Sequence, residues 1–297
     1  MSVNKNKGIY VTLFVMLLWG LLFPMVKLGY AQFQLTTVGD ILTFAGVRFT
    51  ICGAVITAVS YIKNKKDFAN LKGNMALVLA SGLFAIILHY GFTYTGLNLT
   101  DGSKTAIIKQ LGAVFYICFA GFFFPNEKLT AKKIFGLLLG IGGIIAINLN
   151  ATGIAFHLGD LLIIGASFCT VFSNVISKKA LQEVNAVVLT GVSQLFGGIV
   201  LLIVGMITGG NVVSAIPKTG SQFLVFAGIV VASVVSYCLW FAVVKKENLS
   251  KLFIIKFSEP LFAAVFSWIL LGEDIFKINY LLAFILICMG ITVANKN

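Results

Sequence analysis

The chain has 297 residues, 59% of them hydrophobic and only 11% charged, with a mean hydropathy of +1.01. That composition excludes a water-soluble domain, and no Gly/Ser-rich linker, acidic tail or low-complexity block sets apart a piece that could work away from a bilayer. The net charge of +12 comes from lysines in short loops between apolar stretches, which is a membrane-topology pattern and excludes a nucleic-acid partner.

A helix needs about 20 apolar residues to cross a bilayer. Ten stretches qualify, near residues 8–29, 38–62, 73–97, 103–124, 131–149, 159–178, 186–208, 221–245, 251–271 and 278–295. The first is too long for the apolar part of a signal peptide and lacks a small-x-small cleavage site. It also carries Lys27 near its end, so it reads as a helix of the mature chain. Its Trp19 is either a cavity wall or an interhelical packing residue. The second stretch holds Arg48, the only arginine, about ten residues in and close to mid-bilayer. A planar five-donor fork suits a carboxylate or phosphate; an internal tie to carbonyls or to Glu259 is the alternative. In the third, His89 and Tyr90 offer hydrogen bonds or ring contacts to a substrate, or simple packing, and Tyr237 in the eighth offers the same.

The fourth stretch opens Ser103-Lys104-Thr105-Ala106-Ile107-Ile108-Lys109. Lys109 then lies about 9 Å into the helix and roughly 6 Å short of the midplane. Lys104 fits a lysine that snorkels to the headgroups, but five residues turn a helix by about 140° net, so Lys109 points to a different face. In the fifth stretch Gly136, Gly140 and the Gly142-Gly143 pair give a small face for close helix packing, within the chain or between two copies; monomer and homodimer both stay open. The ninth repeats the fourth as Ser250-Lys251-Leu252-Phe253-Ile254-Ile255-Lys256, with Glu259 one helical turn beyond Lys256. Glu259 either neutralises Lys256 or exchanges a proton.

The offset between those two copies is 147 positions, and the same offset relates Gly73 to Gly220, Ala85 to Ala232, Tyr90 to Tyr237, Gly143 to Gly290 and Asn148 to Asn295. The expectation is an all-α membrane protein of ten transmembrane helices, built as two five-helix repeats over residues 1–150 and 151–297. Five is odd, so the second repeat enters from the opposite side and the repeats are inverted. Lysines collect at one set of helix ends, leaving only Lys104, Lys218 and Lys277 at the other. That asymmetry puts both termini in the cytoplasm.

Trp19-Gly20-x-x-Phe23-Pro24-x-x-Lys27, Arg48, Glu127-Lys128-Leu129, Glu259-Pro260 and Leu271-Gly272-Glu273 resemble the motifs of EamA-type transporters of the drug/metabolite transporter superfamily, over essentially the whole chain. The resemblance implies two inverted halves, a central substrate cavity between them, alternating access and the transport of small metabolites across the cell membrane, with export ahead of import. It specifies the fold better than the substrate. Where many members have a proline in the fourth helix, this chain has Gly112-Ala113 opposite Pro260.

Lys27, Arg48, Lys109 and Lys256 outnumber Glu259 inside the membrane, and an unpaired positive excess in a low-dielectric cavity favours a substrate with a carboxylate or phosphate. The candidate binding set is therefore Lys109, Lys256, Arg48, Glu259, Trp19, His89, Tyr90 and Tyr237. No nucleotide-binding loop, metal-ligand spacing or nucleophile with a base is present, so no enzyme activity, metal or cofactor is expected. A lipid flippase or a membrane scaffold is the alternative reading.

Overall fold

The computed structural model describes residues 7–97, 99, 108–109, 111–147, 158–272 and 278–295. Among them the chain is helical, with no strand. Its α-helices are α1 (Lys7–Gln32), α2 (Val38–Lys63), α3 (Met75–Gly82), α4 (His89–Leu97), α5 (Leu111–Phe123) and α6 (Ala131–Ile147), followed by α7 (Leu158–Ala180), α8 (Ala186–Ile207), α9 (Gly220–Lys246), α10 (Leu249–Ile255), α11 (Glu259–Leu271) and α12 (Ile278–Asn295). Among the described residues, seven stretches are long and apolar enough to cross a membrane: Lys7–Gln32, Val38–Lys63, Lys65–Gly96, Leu158–Ala180, Ala186–Ile207, Gly220–Lys246 and Leu249–Leu271. Leu111–Phe123 and Phe284–Val293 are shorter apolar helices. The repeated segment at 103–107, with Lys104, lies outside the described residues, as do Asn148, Glu273 and Lys277.

Local chemistry sets the helix ends. Thr37 caps α2 by accepting from the Asp40 amide at 3.1 Å, and Asp40 places a negative charge in the first turn, where the helix dipole favours one. Thr219 and Gln222 form a reciprocal capping box on α9. Gly272 stops α11 with φ +69°, a left-handed conformation that glycine adopts without a Cβ clash.

Two expected continuous helices are interrupted. The ninth stretch, expected as one helix over 251–271, breaks into α10, a 3-10 turn at Lys256–Ser258, and α11. Pro260 has no amide hydrogen to give the Lys256 carbonyl, and the Glu259 amide takes that carbonyl instead. The third stretch widens into a π-helical turn at Leu83–Leu88, immediately before His89 and Tyr90. Inside a membrane, departures of this kind occur where backbone is covered by protein or lines a cavity.

Helices at corresponding positions of the 147-residue register pack on each other. α2 lies against α8 so closely that a Cβ at Gly46 would strike Leu202, one at Gly53 would strike Leu195, and one at Gly198 would strike Thr50. α6 lies against α12, where a Cβ at Gly290 would come within 2.8 Å of the Gly136 carbonyl oxygen, while Gly140 faces the Phe257 ring. The small face at Gly136 and Gly140 is thus filled within the chain. α1 packs on α9 and α11, and α7 on α3, α4 and α5, leaving a space between the two groups.

Candidate functional site

That space is a cavity of about 420 Å³, and all eight residues expected to bind substrate line it. They arrive from α1 (Trp19), α2 (Arg48), α4 (His89, Tyr90), the residues before α5 (Lys109), α9 (Tyr237), and the break between α10 and α11 (Lys256, Glu259). Residues 90 and 237, which match in the repeat register, meet at its centre, hydroxyl to hydroxyl at 2.8 Å.

Each of these three cations sits over an aromatic ring. The Arg48 side chain is 3% exposed; its guanidinium carbon is 4.2 Å from the Phe49 ring centre and 5.5 Å from that of Tyr90. The Lys109 ammonium is 5.4 Å from the Phe23 ring, and that of Lys256 is 5.3 Å from Trp19. A cation within about 6 Å of a ring centre is attracted by the ring quadrupole. Among the described residues, Glu259 forms no direct ion pair with Lys256 or Arg48. The Lys256 ammonium turns instead to the Trp19 ring, 5.3 Å from its centre.

Four buried polar atoms on cavity-lining residues have no hydrogen-bond partner among the described residues: Arg48 Nε, Trp19 Nε1 and the Tyr30 and Thr93 hydroxyls. His89 contacts the Ala166 carbonyl through Nδ1 at 3.1 Å, with the Thr170 hydroxyl also at 3.1 Å. A carbonyl only accepts, so Nδ1 carries the proton and Nε2 is left as an acceptor.

The cavity extends to the exposed Lys27 and stops at Asn174, Trp240 and Phe241, all at most 4% exposed. The Trp240 indole donates to Asn174 Oδ1 at 2.7 Å, and the Asn174 amide donates to the Thr170 carbonyl at 2.7 Å. Beyond them, on the lysine-rich side, Ser81 and Ser177 share a hydrogen bond of 2.6 Å.

In the connection between α5 and α6, Glu127 is buried and accepts five hydrogen bonds. Oε1 takes the Lys178 ammonium at 2.9 Å and the Leu249 amide at 3.0 Å. Oε2 takes the Tyr116 hydroxyl at 3.0 Å, the Ser250 amide at 3.1 Å and the Ser250 hydroxyl at 3.0 Å. Burial alone would raise the pKa of this carboxyl, but the Lys178 hydrogen bond and charge, with the two amides, outweigh it and hold the group below its ordinary value.

Sequence reasoning did not anticipate this network, which joins residues more than a hundred positions apart. It also missed Phe23 as a ring under Lys109, although the four-residue spacing from Trp19 to Phe23 marks one face of α1.

A model of the EamA-like transporter family matches the chain over residues 6–149 and again over 157–296. The chain belongs to the EamA-like transporter family. The resemblance read from the Trp19 to Lys27 motif therefore holds over the full length, and this EamA protein, with its several apolar helices, is a multi-pass membrane transporter. It is 26% identical over 291 residues to the uncharacterized transporter YoaV of Bacillus subtilis, covering 93% of this chain and 92% of that one. It is 24% identical over 184 residues to a probable amino-acid metabolite efflux pump of Escherichia coli, covering 61% of this chain and 56% of that protein. A solved crystal structure shares the fold at a TM-score of 0.77 and 18% identity, over 97% of this chain and 96% of its own.

Proposed function

We propose that this EamA protein is a secondary transporter that exports a small polar metabolite bearing a carboxylate or phosphate, by alternating access around the central cavity. The observation that carries the substrate charge is the cavity wall itself: Arg48, Lys109 and Lys256 face it, against the carboxylate of Glu259. Desolvated positive charges of this kind gain most from an anionic visitor. Export is supported by the efflux name of the Escherichia coli relative.

The working architecture is ten transmembrane helices in two inverted five-helix repeats, residues 1–150 and 151–297, in the plasma or inner membrane. It is supported by the double family match, the packing of α2 on α8 and of α6 on α12, and the Tyr90 to Tyr237 bond across the offset of 147. In this reading the structure is the state closed on the lysine-rich, cytoplasmic side, where Asn174, Trp240 and the Glu127 network fill the path. Cysteine labelling tests the topology on a background without the five native cysteines: a thiol at Asn4 or Asn297 should resist impermeant reagents added outside intact cells. Labelling from outside would reverse the orientation.

Arg48→Lys tests whether the site needs a guanidinium. It keeps the charge but loses the planar stack on Phe49 and Tyr90, and transport at equal expression should fall roughly tenfold. A rate near wild type would show that position 48 needs only a positive charge. Glu259 is the group proposed to carry a coupled proton. Its exchange for Gln should leave anion binding intact and abolish accumulation driven by a pH gradient, whereas retained accumulation would remove the proton role.

A further inference from the structure

The two halves face the cavity with different chemistry. At the offset of 147, Trp19 on α1 corresponds to Ala166 on α7, Phe23 to Thr170, and Lys27 to Asn174. Symmetry of the repeat would give both walls the same groups. Instead α1 presents an indole and a phenyl ring one turn apart, while α7 presents the Thr170 hydroxyl and the Asn174 carboxamide, with Ala166 buried away from the cavity. The hydroxyl and the carboxamide already serve the α7 wall, through the contacts to His89 and Trp240.

The repeat-matched lysines do not respect that symmetry either. Lys109 and Lys256 come from different halves, yet both put their ammonium groups over α1 rings, at Phe23 and Trp19. An ammonium docked on a ring face is stabilised without a carboxylate and keeps N–H groups free for a ligand. Of the buried atoms left without partners around the cavity, Arg48 Nε and Trp19 Nε1 are donors only and call for an acceptor, while the Tyr30 and Thr93 hydroxyls can donate or accept.

We propose that the cavity takes a planar organic anion, a carboxylate on a flat aromatic body, whose ring lies against the Trp19 and Phe23 face of α1 while its carboxylate meets the Arg48, Lys109 and Lys256 donors. This rests on the transport reading above and narrows it from carboxylate or phosphate to one class. A flat ring can add to the α1 aromatics beside the ammonium groups already seated there, whereas a phosphate on a polyol would use the donors and gain nothing from the rings. A cavity of about 420 Å³ is large enough for a body of one or two rings.

The test is calorimetric titration of the purified full-length protein with benzoate, cyclohexanecarboxylate, benzamide and inorganic phosphate. Benzoate should bind roughly tenfold tighter than cyclohexanecarboxylate, which has the same charge and similar size but no flat ring. Benzamide and phosphate should give no measurable heat at the same concentrations. Trp19→Leu and Phe23→Leu should each erase the preference for benzoate over cyclohexanecarboxylate, whatever they do to the affinity for both. The wild-type comparison stands even if a variant fails to fold. Equal affinity for the two carboxylates, tighter binding of phosphate, or no binding of benzoate overturns the planar-anion inference and leaves anion transport standing if any anion binds. Binding of benzamide with no anion bound overturns both.

Discussion

Glu127→Ala is expected to destabilise the folded protein by about 3–5 kcal/mol, the range for removing one partner of a buried ion pair. The loss is large because one carboxylate satisfies five donors: the Lys178 ammonium, the Tyr116 hydroxyl, the Leu249 and Ser250 amides and the Ser250 hydroxyl. Lys178 retains the Glu247 carbonyl at 2.8 Å, which keeps its ammonium bonded without neutralising its charge. The same group makes stability depend on pH with a definite sign. Its folded pKa is depressed, so its contribution is fully present above the unfolded carboxylate value and is lost as pH falls through the folded value. Thermal melts of detergent-solubilised protein should therefore move down on acidification from roughly pH 5. Glu127→Gln should melt lower at neutral pH and lack that part of the acid dependence. Parallel pH profiles for the variant and wild type would show that Glu127 is not the linchpin of the lysine-rich end.

Lys109→Gln and Lys256→Gln should each weaken binding of a carboxylate ligand by about 1–3 kcal/mol, the cost of losing a charged hydrogen bond. Lys251→Gln is the control. Lys251 lies five residues before Lys256 but does not line the cavity, so its exchange should leave affinity within roughly twofold. Titration of the three variants with one carboxylate at constant salt decides between a local role and a general effect of net charge. Equal losses at Lys251 and Lys256 would favour the general effect.

The separation of Lys256 from Lys251 was legible in the sequence because helical geometry fixes the angle between them. The gathering of Trp19, Arg48, His89, Tyr90, Tyr237 and Glu259 around one cavity followed from their depth in apolar stretches and from the repeat register. What holds the cations was not legible, because periodicity gives the face of a helix but not its neighbour: nothing in Ile108-Lys109 says that Phe23 lies opposite. The break at Lys256 was half visible. Pro260 marks it, but the transfer of the Lys256 carbonyl to the Glu259 amide is a backbone adjustment that only coordinates display. Glu127 follows the fourth apolar stretch as part of the family motif, and its role as a tie depends on Lys178 and Ser250, which only the tertiary fold brings near.

The most direct test of the central claim, that an organic anion crosses through the cavity bounded by Lys109 and Lys256, is flux in sealed liposomes containing the purified protein. Radiolabelled benzoate, inorganic phosphate and a quaternary ammonium ion would be compared for wild type and for the Lys109→Gln/Lys256→Gln double variant, with Lys251→Gln alongside. The account predicts saturable benzoate movement in wild type and Lys251→Gln, and its loss to the level of protein-free liposomes in the double variant. Undiminished benzoate flux in the double variant, or saturable movement of the ammonium ion in preference to either anion, would contradict it.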